Sequence, residues 1–301
     1  MNNLNPCNIC PRKCNKNRKN SIGFCGIKDR IKVARCDLYF YEEPSISGKE
    51  GSGTIFFSGC NLDCVYCQNY EISHNNKGIY ISIKRLSEIF IELQEKKANN
   101  INLVTPTIYI PLIRKAIIKA KEMGLTIPIV YNSSGYEEVE SLRLLDGLID
   151  IYMPDFKYMN DEYAKKYSKC NNYVEKTKKA IQEMYRQVGK NKFKNGIMTK
   201  GVLVRHLILP GLTNDSKKIL KYLYDTYKDN IYISIMNQYT PLKNVEHIKE
   251  LNKKVTKDEY EDIIKYAIKI GIENAYIQED ETVSESFIPI WNNEGVKKKE
   301  N

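Results

Sequence analysis

Three cysteines fall close together in the stretch GCNLDCVYCQN, at Cys60, Cys64 and Cys67. Thiolates on one short loop can hold a metal ion or an iron–sulfur cluster. Closed ligand sets serve structure, whereas catalytic metals keep one position open, and three thiolates leave such a position. The structural alternative is a zinc ion whose fourth ligand is remote in sequence, either His74 or an N-terminal cysteine. A second group opens the chain: Cys7, Cys10, Cys14 and Cys25 have the spacing C-x2-C-x3-C-x10-C. Four thiolates can close a tetrahedral zinc site or bind a cluster of their own, and this metal site is the expectation over a partly free-thiol segment. Cys36 lies in the apolar phrase VARCDLYFY and reads as a buried hydrophobe; Cys170, in SKCNNY, reads as a bystander.

Such thiols need a scaffold, and the chain supplies one by alternation. Six short apolar, β-branched runs are expected strands: 54–58, 101–104, 127–131, 148–153, 202–209 and 231–236, with 275–278 as a seventh candidate. Between them the segments 82–95, 110–123, 174–188, 215–227 and 257–270 carry helical periodicity, with Asp215 and Thr256 as expected N-caps. Strand–helix alternation predicts a parallel sheet in an α/β fold. Spacing leaves open whether six or so units form a partly closed barrel or an open doubly wound sheet. In both, the site lies at the C-terminal strand ends. The residues there are GCNLDCVYC, TPT, NSSGY, PDFK, PGLTND and NQYTP, so the three-cysteine loop sits where an active site belongs.

Bulk properties narrow the function. The 301 residues are 42% hydrophobic and carry a formal charge of +10, with the lysines scattered along the chain. A solvated surface accounts for that charge better than a nucleic-acid partner. No apolar run reaches membrane-spanning length and the start has no signal-peptide core, so a cytoplasmic location is expected. In that reducing compartment nine cysteines point to metal or redox chemistry, not a disulfide framework. There is no G-x-S-x-G elbow, P-loop or dinucleotide fingerprint. The Ser-Gly-Tyr of NSSGY lacks the preceding arginine of a glycyl-radical loop and reads as a strand-to-helix turn.

The C-x3-C-x2-C loop, with Tyr66 before its last cysteine and an apolar strand before it, resembles the radical S-adenosylmethionine superfamily. The resemblance implies a partial (β/α)6 TIM-type barrel with a small Cys-rich N-terminal extension. It implies a [4Fe–4S] cluster on Cys60, Cys64 and Cys67, with S-adenosylmethionine chelating the fourth iron. Where the family has a Gly-Gly-Glu-like segment, this chain reads Thr105-Pro106-Thr107, which leaves carbonyls and hydroxyls to contact the co-substrate. Asp155-Phe156-Lys157 resembles the D-x-K segment of glycyl-radical-enzyme activases, and VRHLILPGLTND their segment with an arginine near mid-strand. These matches make Tyr66, Asn132, Ser133, Asp155, Lys157, Arg205 and His206 candidate contacts; alternation directs only one of Arg205 and His206 inward. The phrases SGCNLDCVYCQNYEIS, NINLVTP, YNSSGY and RHLILPG, behind an N-terminal C-x2-C-P-x2-C-like segment, resemble the pyruvate formate-lyase-activating-enzyme-like branch over residues 7 to 290. The true activase lacks that extension.

The expected organisation is a Cys-rich metal-binding extension at 1–40, a catalytic body at 50–290 and a polar tail at 291–301. The expected function is reductive cleavage of S-adenosylmethionine to methionine and a 5′-deoxyadenosyl radical that takes hydrogen from a substrate. That substrate is a glycyl residue of a partner protein, or else a small molecule or another macromolecule. An electron donor such as flavodoxin or ferredoxin would be required. The competing expectation is a non-catalytic metal-binding interaction protein.

Overall fold

In a strand, successive side chains point to opposite faces, and here the two faces enter two different environments. The computed structural model describes residues 5–278 and 288–298. Its strands are β1 (Ile31–Tyr39), β2 (Ser52–Phe57), β3 (Ile79–Ile81), β4 (Ile101–Val104), β5 (Ile129–Ser133), β6 (Ile151–Pro154), β7 (Lys192–Lys194), β8 (Ile197–Leu207), β9 (Tyr232–Met236) and β10 (Ala275–Ile277). They form one sheet in the order β10-β9-β8-β6-β5-β4-β2-β1-β3, with β7 paired to β8. From β2 to β10 the run is parallel; β1, β3 and β7 pair antiparallel. The main helices are α1 (Ile83–Glu95), α2 (Ile110–Glu122), α3 (Asp161–Ser168), α4 (Tyr173–Val188), α5 (Thr213–Tyr227) and α6 (Lys257–Lys269). The fold is α/β, with a partial barrel whose sheet does not close.

The odd-numbered side chains Ile101, Leu103, Ile129 and Tyr131, with Val202 and Val204 of β8, join the main core. Helix residues such as Leu86 and Phe90 of α1 and Ile113 of α2 belong to the same cluster. Facing the other way, Val130, Ile151, Met153 and Leu203 form a separate cluster inside the barrel. The central strands β2, β4, β5, β6, β8 and β9 are thus largely buried on both faces, which explains their near-continuous apolar sequence. Neighbouring strands lie roughly 4.8 Å apart. Phe56 of β2 and Met236 of β9 nevertheless line one cavity, which requires the sheet to curve.

Two segments differ from expectation. Residues 42–53, EEPSISGKEGSG, read as a connector, yet Ile46 inserts among Val130, Ile151, Met153, Met198 and Leu203 and plugs the barrel floor. Asn100 holds this plug by donating to the Ile46 carbonyl at 2.8 Å. The polar tail expected at 291–301 is packed over its described part. Trp291 stacks edge-on to Phe56 at 5.2 Å, and Arg85 donates to the Val296 carbonyl at 3.0 Å. Of the basic stretch 297–299, Lys299 lies outside the described residues. No described helix is long and apolar enough to cross a membrane. Thr256 caps α6 in a capping box with Glu259. Asp215 is not a cap, because α5 begins two residues earlier; its carboxylate instead accepts the Met159 N–H at 2.8 Å.

Arg205 and His206 lie on opposite faces of β8. His206 points outward, where Nδ1 donates to the Phe156 carbonyl at 2.7 Å and Nε2 accepts from the Ser216 hydroxyl of α5 at 2.8 Å. Burial, opposed by the Phe156 bond, pushes its pKa down to about 4. The folded state therefore resists a proton that the unfolded chain takes up from about pH 6.5. Stability conferred by the neutral ring is expected to fall from pH 6.5 to about 4, by on the order of 3 kcal/mol. Urea unfolding of wild type and His206→Gln at pH 7 and pH 4.5 checks this: the variant should lose less on acidification. Parallel losses would remove His206 as the cause.

Candidate active site

The strand ends converge on a cavity of about 240 Å3. Its wall includes Phe56, Val104, Asn132, Arg205, Leu207 and Met236 from the strands, and Asp155 and Lys157 just beyond β6. The loop after β2 adds Cys64, Tyr66, Cys67, Gln68 and Asn69. Of the residues singled out from sequence, Tyr66, Cys64, Cys67, Asn132, Asp155, Lys157 and Arg205 meet here. His206 does not, and neither do Cys60, Thr105, Pro106, Thr107 and Ser133. Thr107 is buried and donates to Glu137 at 2.6 Å, whereas Ser133 accepts the Gly135 N–H at 3.3 Å. Thr105 holds a φ of 60°, an outlier for a β-branched residue, while its N–H donates to the Asn132 carbonyl at 2.9 Å. This kinks the chain at the end of β4 beside the cavity.

The polar centre is built around Arg205. Nε donates to Asp155 at 3.0 Å, Nη2 to the Asn132 side chain at 2.7 Å and Nη1 to Glu42 at 3.2 Å. Lys157 donates to the other Asp155 oxygen at 2.7 Å. Burial would raise the Asp155 pKa, but Lys157 and Arg205 hold it below the usual carboxylate range. Glu42, only 8% exposed, behaves oppositely: burial outweighs Arg205 and pushes it up to about 7. It accepts from Asn102 at 2.9 Å and sits above the plug. Sequence reading missed Glu42; the two carboxylates before a proline, Glu42-Glu43-Pro44, were the available signal.

The cysteine loop is fixed on several sides. Gly59 starts it with a φ of 80°, and a Cβ there would lie 2.7 Å from the Cys25 carbonyl. Asp63 and Val65 donate backbone N–H groups to the Ser168 and Tyr167 carbonyls. The thiols themselves are met by donors. Leu62 N–H donates to Cys60 Sγ at 3.3 Å. Hydroxyls of Ser168 and Ser73 lie 2.9 Å from Cys64 and 3.2 Å from Cys67. Burial pushes the Cys64 thiol up to about 11, with Lys157 opposing. His74 does not join the thiols: its Nδ1 faces Ser73 at 2.6 Å and its Nε2 pairs with Asp63.

A model of the radical SAM superfamily matches residues 54–223, more than half of the chain. The chain belongs to the radical SAM superfamily. An uncharacterized protein of Methanocaldococcus jannaschii, MJ0674, is 30% identical over 286 residues, covering 90% of this chain and 76% of that protein. A second protein of that organism, named "Putative glycyl-radical enzyme activating enzyme MJ1227", is 30% identical across 48% of this chain and 58% of its own length. Among solved structures, Streptococcus suis SuiB bound to S-adenosylmethionine aligns at TM-score 0.49 and 10% identity, covering 73% of this chain. HydG, a maturase of the [FeFe]-hydrogenase, aligns at 0.47 and 15%, covering 69%. This chain spans 48% of each of those two structures.

Radical SAM membership implies a [4Fe–4S] cluster and S-adenosylmethionine, and the donor set can be tested against them. Among the described residues, no three thiol, imidazole or carboxylate groups stand in a ready-made coordination sphere. Protonated thiols have no charge-driven reason to converge, and rotation about χ1 re-aims each sulfur. What the fold provides is thiols alone, on a loop braced at Gly59, Asp63 and Val65, with N–H, O–H and lysine donors placed to stabilise thiolates. That chemistry fits a thiolate-bound cluster. Across the cavity, Asp155, Lys157, Asn132 and Arg205 offer both signs of charge to a zwitterionic sulfonium.

Proposed function

We propose that the chain is a radical SAM enzyme whose cluster is held by Cys60, Cys64 and Cys67. When bound, the cluster supplies one electron to S-adenosylmethionine, which splits into methionine and a 5′-deoxyadenosyl radical that abstracts hydrogen from the substrate. The observation that carries this reading is the braced three-thiol loop at a cavity whose far wall is the Asp155–Lys157–Arg205–Asn132 network. Lys157 is assigned to the methionine carboxylate and Asp155 to the cationic end of the co-substrate. Arg205 keeps Asp155 ionised and Asn132 oriented. Tyr66 lines the cavity wall beside the cysteine loop. The plugged floor keeps water from entering behind the reacting groups.

The glycyl-radical-activating branch is supported by the sequence phrases and by the name of MJ1227, and a glycyl residue of a partner protein is the substrate we favour. A flavodoxin or ferredoxin is the expected reductant. The four N-terminal cysteines are assigned to a second metal, which makes residues 1–40 a metal-binding extension of the body. The test is anaerobic: iron and sulfide reconstitution, dithionite reduction, addition of S-adenosylmethionine and assay of 5′-deoxyadenosine. Product from the wild type supports the reading. An intact, reducible cluster that yields none would overturn it in favour of a metal-binding interaction protein.

A further inference from the structure

We infer that Cys7, Cys10, Cys14 and Cys25 bind a single zinc ion that locks the N-terminal hairpin onto the loops around the active site. This sharpens the second-metal assignment above and does not depend on the cluster at Cys60.

The four thiols, dispersed over nineteen positions, line one small cavity together with Arg12 and Arg18. Its volume is about 10 Å3, room for a single water-sized occupant. A mononuclear ion fits such a space; a cubane of four irons and four sulfides is far bulkier. The sulfurs of Cys14 and Cys25 both face Gly23, 3.2 and 3.5 Å from where its Cβ would stand, so they share one side of the cavity. The Lys13 N–H donates to the Cys10 carbonyl at 3.0 Å and the Gly26 N–H to the Gly23 carbonyl at 3.0 Å, so each cysteine pair is carried on a closed turn. Backbone bonds from Cys7 to Lys16 and from Asn15 to Cys7 close the hairpin that holds the first pair.

Charge supplies the independent argument. Arg18 is fully buried, yet its guanidinium bonds only carbonyls, those of Ile27, Lys28 and Ile108. Arg12 likewise donates to the carbonyls of Asn61, Ser168 and Lys169 and stacks on Phe24 at 3.8 Å. Among the described residues neither has a carboxylate partner. A buried cation without a counter-charge is strongly unfavourable. Four thiolates around a divalent zinc leave two negative charges beside these two positive ones, the thiol protons having gone to solvent on binding. A four-thiolate cluster could carry the same charge; the small space among the thiols is what favours zinc. The ion would then fix the two arginines that grip Asn61, the neighbour of Cys60, and the turns at Ile108 and Ser168.

The experiment uses the full chain carrying Cys60/Cys64/Cys67→Ala, which isolates the N-terminal site, with zinc and iron measured per chain. One zinc and no iron is expected, lost when Cys10→Ser and Cys25→Ser are added. Arg18→Gln should weaken zinc retention against a chelator by roughly 10–100-fold. Should the double serine variant fail to fold, cobalt(II) substitution of the Cys60/Cys64/Cys67→Ala chain replaces it, and the visible spectrum of a tetrahedral four-thiolate ion is expected. Iron with sulfide in the alanine variant would overturn zinc in favour of a second cluster. Metal-free protein whose four thiols react freely in the native state would overturn the site altogether. Formation of 5′-deoxyadenosine by the wild type, assayed separately, reports on the radical reading alone.

Discussion

Replacing Cys60, Cys64 and Cys67 together with alanine is expected to abolish 5′-deoxyadenosine formation, with the fold retained. Each substitution removes one sulfur from a loop whose shape is set by other contacts, chiefly Gly59 and the pairing of Asp63 and Val65 with residues 167 and 168. The packing cost is about 1 kcal/mol per site. The chemical cost is total, because among the described residues the neighbouring His74 is already engaged by Ser73 and Asp63 and does not replace a ligand. The measurement is product formation beside a circular-dichroism melt. A variant that melts like wild type and still makes product at a comparable rate would place the cluster elsewhere.

The second large effect is expected at Arg205. Arg205→Met removes the group that joins Glu42, Asp155 and Asn132, and leaves two carboxylates in the barrel with only Lys157 as counter-charge. Breaking a buried ion pair from one side costs roughly 3–5 kcal/mol. The pH dependence follows from Glu42, already pushed up to about 7 with the arginine present. Without it, the folded-state pKa rises further above the unfolded value, so protonation favours the folded state. The deficit should therefore shrink as the pH is lowered from 8 toward 5, and Glu42→Gln in the same chain should restore part of the stability. Urea unfolding across that range and equilibrium binding of S-adenosylmethionine both report on it. A deficit below about 1 kcal/mol, or one that does not respond to pH, would refute the central role of Arg205.

Much of the barrel was legible because its strands are buried on both faces and so write themselves as apolar runs. The β4 segment INLV matches the observed strand. The Cys60 loop was legible because ligand chemistry constrains spacing within a few residues. What escaped reading depends on contacts distant in sequence. β1, IKVARCDLY, alternates in burial but carries an irregularity between Val33 and Arg35, and its phrase was read only for Cys36. β7 is exposed, although the Asn195-Gly196 turn between it and β8, with φ of 52° and 78°, is a hairpin signal. Glu42 and the Ile46 plug lie in a segment whose Gly, Ser and Pro content describes a loop correctly. Nothing in that composition says the loop turns inward. Gly135 shows the same limit: a Cβ there would meet the Asp155 carbonyl at 2.3 Å, a constraint set by a different strand end.

The placement of the N-terminal hairpin has a consequence for biosynthesis. Ile9 accepts from Ser141, and Arg12 donates to Ser168 and Lys169, across separations of 132, 156 and 157 residues. The hairpin is therefore synthesised before the residues it docks on and seats only once they have followed. Its local backbone bonds, by contrast, close within about ten residues, so the hairpin can form alone while its docking partners are still being synthesised. Closure of the N-terminal hairpin and assembly of the barrel become separable events, and their order is set by the topology of the chain.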